Sequence, residues 1–185
     1  PAVELATAAL FVAVAGRFGP TPYTGAVLAV SATGVALFMI DLDHRRLPFA
    51  LTGFALVATV AGLAAAAVTS GIAPLPTALA SAGAWLAVYG GIWLATAGRG
   101  MGLGDVALAP VLGLALGWLG WGSSLVGLLA GFVVGAAVGL VLLATGRVAG
   151  RSRVPHGPFL LSGAGIGLFT GPVLWEGYLS LVGLA

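Results

Sequence analysis

The feature that most constrains this chain is the succession of long apolar runs from end to end, broken only by short clusters of Gly, Pro and Arg. Of 185 residues, 60% are hydrophobic and 6% charged, and the mean hydropathy is +1.15, so a water-soluble fold would lack the polar side chains to cover its surface. A helix needs roughly 20 apolar residues to cross the hydrocarbon of a bilayer. A chain of this length therefore holds about seven crossings with short connections and leaves no room for a separate soluble domain. The runs and their breakers place the spans at about 2–17, 22–40, 49–69, 75–97, 104–120, 122–145 and 158–183. The predicted fold is an all-α polytopic membrane protein with about seven transmembrane helices, forming one domain over residues 1–185.

Charge placement sets the orientation. All seven basic residues are Arg, and the acids are Glu4, Asp41, Asp43, Asp105 and Glu176. Arg45 and Arg46, then Arg99, then Arg147, Arg151 and Arg153 fall in alternate connections, whereas the loops "TSGIAPLP" and "GWLGWG" carry none. Only Arg17 falls on the other side. By the positive-inside rule the Arg-bearing loops and the amino terminus face the cytosol. The net charge of +2 thus reflects loop placement rather than affinity for nucleic acid. Cysteine is absent, which excludes disulfides and thiolate zinc sites. The start "PAVELATAALF" lacks the basic opening of a signal peptide and suggests further sequence upstream.

Glycines 127, 131, 135 and 139 recur every four residues, a spacing that lets helix backbones approach closely. Trp85, Trp93, Trp118, Trp121, Trp175, Tyr23, Tyr89 and Tyr178 read as an interfacial aromatic belt.

Two carboxylates then stand out. Asp41 ends the second span in "FMIDLDHRRLP" and Asp105 opens the fifth in "GMGLGDVALAP". Two whole crossings lie between them, so both face one side. Ionisable groups at membrane depth are costly and mark function. Two that share a proton provide what an aspartyl protease requires: one takes a proton from the attacking water while the other donates to the peptide carbonyl. Gly102 and Gly104 would permit sharp or left-handed turns before Asp105 and close approach of an extended substrate. A helix start favours an ionised Asp105 and a helix end disfavours an ionised Asp41, which makes Asp105 the expected base and Asp41 the expected acid. Read by themselves, Asp105 is equally an N-cap and Asp41 equally a polar stop at the interface. Asp43 reads as solvated or paired with Arg45 or Arg46, and His44 and His156 as interfacial loop residues. Glu4 reads as a buried structural hydrogen-bonding group or a substrate contact. No metal site is expected, since neither histidine sits in a ligand-spaced motif.

At these residues the chain resembles the type IV prepilin leader peptidases, membrane aspartyl proteases of the GxGD class. "IDLDHRRLP" is similar to the family's first aspartate box, with Asp41 seven residues before Pro48; "GMGLGDVALAP" is similar to the second. "PAVELATAALF" and "VPHGPFLLSGAGIGLFTG" are similar to the family's segments at either end. The resemblance implies catalysis by Asp41 and Asp105. It implies a multi-pass protein of the bacterial inner or cytoplasmic membrane, with its active site toward the cytosol. Its substrates would be prepilins or pseudopilins, cut after a short basic leader at the cytosolic interface. Many members also methylate the new amino terminus with S-adenosylmethionine and carry a cysteine-bearing cytosolic domain. This chain resembles the protease core alone, and proteolysis is expected to need no cofactor. It departs from the family's pattern at Ala107, where Lys is frequent, at Phe49, and at His156, where Phe is common. Two other readings of the same acids are a proton-coupled transporter or channel and a catalytically silent relative.

Overall fold

The structure is a computed structural model that describes residues 1–146 and 155–183. The described residues form seven helices and no strand: α1 (Ala2–Phe18), α2 (Pro22–His44), α3 (Phe49–Ser70), α4 (Leu75–Ala95), α5 (Leu103–Gly117), α6 (Trp121–Ala144) and α7 (Gly157–Leu181). All seven predicted spans are present, and the chain is a polytopic helical membrane protein. The Arg147, Arg151 and Arg153 loop lies outside the described residues. Five helices are long and apolar enough to cross a bilayer. The other two, α1 and α5, have 17 and 15 residues.

The shortness of α5 follows from its position. At 1.5 Å per residue it reaches only about 22 Å, short of the roughly 30 Å of hydrocarbon. It packs against α2, α3, α4, α6 and α7, and of the ten residues Leu108–Gly117 all but Pro110 are buried. A helix apolar all round suits this central place, because its walls are protein rather than lipid.

The α6–α7 pair is set by small residues. A Cβ on Gly163 would come within 2.5 Å of Gly131 Cα, one on Gly167 within 2.7 Å of Gly127 Cα, and one on Gly171 within 2.5 Å of Ser123 Cα. Glycines 127, 131 and 135 of the predicted stripe meet α7, whereas Gly139 meets nothing within 4 Å, because there the helices border an open cavity.

The aromatic belt holds only in part. Trp121 and Tyr178 are half exposed, but Trp85 and Tyr89 are fully buried on the inner face of α4. Trp85 Nε1 donates to Ser124 Oγ at 3.0 Å, and that hydroxyl also hydrogen-bonds Ser81. Tyr23, likewise buried, donates to the Ala115 carbonyl at 3.0 Å. For Trp85 and Tyr23 burial of ring area outweighs the preference for the interface, because a partner for the polar tip is available inside.

Candidate active site

Helix α2 starts on Thr21, whose hydroxyl accepts the Thr24 N–H at 3.2 Å, and has Pro22 in its first turn. It runs four residues beyond the predicted end at residue 40. Asp43 and His44 are therefore exposed positions on its last turn rather than loop residues. Arg45 closes the helix in a left-handed conformation at φ 52°, donating its N–H to the Asp41 carbonyl at 2.9 Å. The chain then turns so that Leu47 points inward and is buried.

Asp41, on that last turn, is 5% exposed. Its Oδ2 accepts the backbone N–H of Gly157, the first residue of α7, at 3.0 Å. Asp105 is 6% exposed, at the third position of α5. It reaches back so that Oδ2 accepts the N–H of Gly102 at 3.1 Å, the acid half of a capping box, while Gly102 itself is the N-cap. Both carboxylates therefore lie at helix N-termini, Asp105 at its own and Asp41 at that of α7. The expected division of base and acid by helix ends does not follow from this geometry. The sequence shows only that Asp41 ends α2, not which helix start is folded against it.

The glycines of the second box act through space rather than through backbone sign. Gly102 has φ −81°, and the left-handed residues of this connection are Ala97 and Gly98, several positions earlier. A Cβ on Gly104 would lie 2.6 Å from Leu47 Cβ, and one on Gly157 would lie 2.8 Å from Asp41 Oδ2 and 3.2 Å from Leu47 Cδ2. Leu47 thus sits against both the start of α5 and the start of α7, beside the two carboxylates. Neither Leu47 nor Gly157 was singled out in the sequence; the only signal was the Gly-Pro start of α7.

Asp41 and Asp105 line one cavity of about 1220 Å³ at a single end of the bundle, not at the mid-depth of the helices. Its walls include Arg45, Arg46 and Arg99, all exposed, and Phe132, His156 and Phe159. None of these guanidinium groups makes an ion pair with either aspartate. His156 is not a surface loop residue but is packed against Tyr89, Phe132 and Phe159, and burial pushes its imidazole below the ordinary histidine range. Glu4 is exposed and far from burial of any kind. Among the described residues no three His, Asp or Glu side chains cluster as a metal site.

A helical bundle built for the bilayer, with two buried carboxylates at the rim of one polar cavity, defines a membrane protein of the paired-aspartate class. A profile of the type IV leader peptidase family (Peptidase_A24) matches residues 28–140, a span that contains both acids. The chain belongs to the type IV leader peptidase family. It is similar to proteins named prepilin leader peptidase/N-methyltransferase. The relative in Pseudomonas aeruginosa is 34% identical over 191 residues, covering 99% of this chain and 62% of the relative. That in Stutzerimonas stutzeri is 33% identical over 192 residues, covering 100% and 63%, and that in Aeromonas salmonicida is 35% identical over 186 residues, covering 98% and 62%. The chain thus spans somewhat under two thirds of the length of these relatives. No solved structure matches it.

The methyl donor implied by the second half of those names does not fit the described residues. S-adenosylmethionine needs acceptors for its ribose hydroxyls and ammonium group. Among the described residues the carboxylates of the polar cavity are Asp41 and Asp105, both assigned to the acid pair, and a second cavity, of about 440 Å³, is walled mainly by aliphatic side chains. Methyl transfer has no place in the mechanism below.

Proposed function

We propose that this chain is the peptidase core of an aspartyl endopeptidase that removes the short basic leader from prepilins or pseudopilins. Residues 1–185 form its single transmembrane domain, Asp41 and Asp105 are its catalytic pair, and the site opens toward the cytosol. The observation that carries the reading is the convergence of two buried carboxylates, from helices separated by two crossings, on one cavity at one end of the bundle. The alternating Arg connections support the cytosolic orientation.

The chemistry follows from a dyad that holds one proton between two acids. The ionised carboxylate takes a proton from water as the water oxygen bonds to the scissile carbonyl carbon. The protonated one gives its proton to the carbonyl oxygen. When the tetrahedral intermediate collapses, the C–N bond breaks, the amide nitrogen leaves with the proton taken from water, and the other carboxyl regains its own. One water is consumed and the dyad returns to its starting state. Backbone donors from Gly102 and Gly157 each hold one carboxylate by its Oδ2. The arginines at the mouth are exposed, so their repulsion of a basic leader fades beyond the roughly 8 Å screening length of physiological salt.

The test is incubation of the purified chain in liposomes with a prepilin carrying its leader, read by mass spectrometry of the new amino terminus. Release of the intact leader peptide is expected. Recovery of uncut prepilin, with the chain folded and upstream sequence of a relative restored, would overturn the reading.

Gly157 provides a finer check. In Gly157→Ala the added methyl would sit 2.8 Å from Asp41 Oδ2, with Leu47 blocking retreat on the other side. The carboxylate must swing away from the α7 N–H, and misplacement by about 1 Å costs on the order of 100-fold in rate. The expected result is a fall in kcat of about that size with the protein still folded, measured by cleavage kinetics and thermal unfolding together.

A further inference from the structure

Behind Asp105 three buried polar atoms lack a hydrogen-bond partner in the protein: Asp105 Oδ1, Tyr89 Oη and His156 Nε2. They belong to α5, α4 and the residue that caps α7, and they are neighbours. The Tyr89 and His156 ring centroids lie 5.7 Å apart, His156 and Asp105 line the same cavity, and a Cβ on Gly90, next to Tyr89, would lie 3.9 Å from Val106 Cγ1, next to Asp105. The surroundings are otherwise apolar. Phe132 stacks on Tyr89 at 5.3 Å, Phe132 and Phe159 lie 5.9 and 6.1 Å from His156, and Tyr89 is wholly buried. Orphaned polar atoms in such a place are costly, and their gathering at one point calls for a shared purpose.

Their donor and acceptor capacities close with two hydrogen bonds. An imidazole Nε2–H can donate to a phenolic oxygen, and the phenolic O–H can donate to a carboxylate oxygen, leaving no atom unsatisfied. In the structure the three atoms do not bond one another; resting on the peptidase reading above, we infer that Tyr89 and His156 are positioning residues for the dyad that engage by small side-chain rotations: His156 Nε2–H donates to Tyr89 Oη, and Tyr89 Oη–H donates to Asp105 Oδ1. Together with the Gly102 N–H on Oδ2, this fixes the plane of the Asp105 carboxylate with one donor on each oxygen. Two donors on a carboxylate favour its ionised form, which leaves Asp105 the member of the pair available as general base, on grounds other than its own helix end. The ionisable and charged groups that face this trio among the described residues are Asp41 on α2 and, across the cavity, Arg45, Arg46 and Arg99; α6 contributes only apolar residues there.

Two measurements test the relay, one of activity and one independent of it. In cleavage kinetics, Tyr89→Phe and His156→Phe are expected to lower kcat by about ten- to 100-fold, the scale of a misoriented catalytic group, with KM within about twofold, as expected when ground-state binding is unaffected. His156→Gln, whose amide can still donate, restores most of the rate. In parallel, 15N spectra of the imidazole in His44→Gln protein, which leaves His156 as the single histidine, report which ring nitrogen bears the proton. The neutral Nε2–H form is expected, giving way to a mixture when Tyr89 is also Phe. An unchanged kcat in Tyr89→Phe, or a spectrum indifferent to that substitution, overturns the relay. So does an Nδ1–H tautomer in the parent protein, which decides the matter even where a Tyr89 variant fails to fold. An active Asp105→Asn would instead sink the peptidase reading, and the spectra would still decide whether the three groups are linked.

Discussion

Asp41→Asn and Asp105→Asn are each expected to abolish leader removal while leaving the fold intact. Asn keeps the carboxylate's shape and one acceptor oxygen, so the bonds from Gly157 and Gly102 can persist at the observed 3.0 and 3.1 Å. What is lost is the ability to hold and exchange a proton. General acid–base catalysis contributes typically 10²–10⁴-fold, so each variant should fall by at least about that factor. On the proposed mechanism the two acids act on one proton as a unit, so the double variant should be scarcely worse than either single one. Cleavage of a prepilin, followed beside size-exclusion profiles of all three variants, checks both statements. Wild-type rates in either single variant would remove the dyad from the mechanism, and multiplicative losses would show two independent contributions.

Gly163→Val is expected to prevent stable assembly of the bundle. Its Cβ would come within 2.5 Å of Gly131 Cα and 2.6 Å of the Gly127 carbonyl oxygen, and no side-chain rotation can move backbone atoms aside. Ordinary overpacking costs about 1–3 kcal/mol; here α6 and α7 must separate along their contact, which should exceed that range. Gly139→Val belongs to the same four-residue stripe but meets nothing within 4 Å, and should leave thermal unfolding in detergent unchanged. The pair of variants tests whether the glycines act by close approach or merely by composition. Equal losses in both would favour composition.

Much of this was legible in the chain. Apolar run length and the Gly, Pro and Arg breakers located every helix among the described residues, because in a bilayer a segment must satisfy its own backbone and a helix is the way a single run can do so. The parity of crossings placed Asp41 and Asp105 on one side without any knowledge of packing, and both do line one cavity. Less legible was everything that depends on neighbours. Trp85 and Tyr89 read as interfacial because aromatic residues favour that zone, but Ser124 supplies a buried partner for the indole. His156 read as a loop residue because it precedes a Gly-Pro helix start, yet the helix start is folded into the bundle. Gly104 read as a turn residue, whereas its lack of a side chain matters because Leu47, from a distant loop, lies against it.

The sequence by itself determined the class of fold, the number of helices and the side of the membrane shared by the two aspartates. These follow from local hydropathy and from counting, which need no third dimension. Only the tertiary structure decided which backbone amide each carboxylate accepts, that both sit at helix N-termini, and that Tyr89 and His156 stand behind Asp105. Those are contacts between segments far apart in the chain, fixed by close packing of helix faces, and no periodicity along one segment encodes its partner.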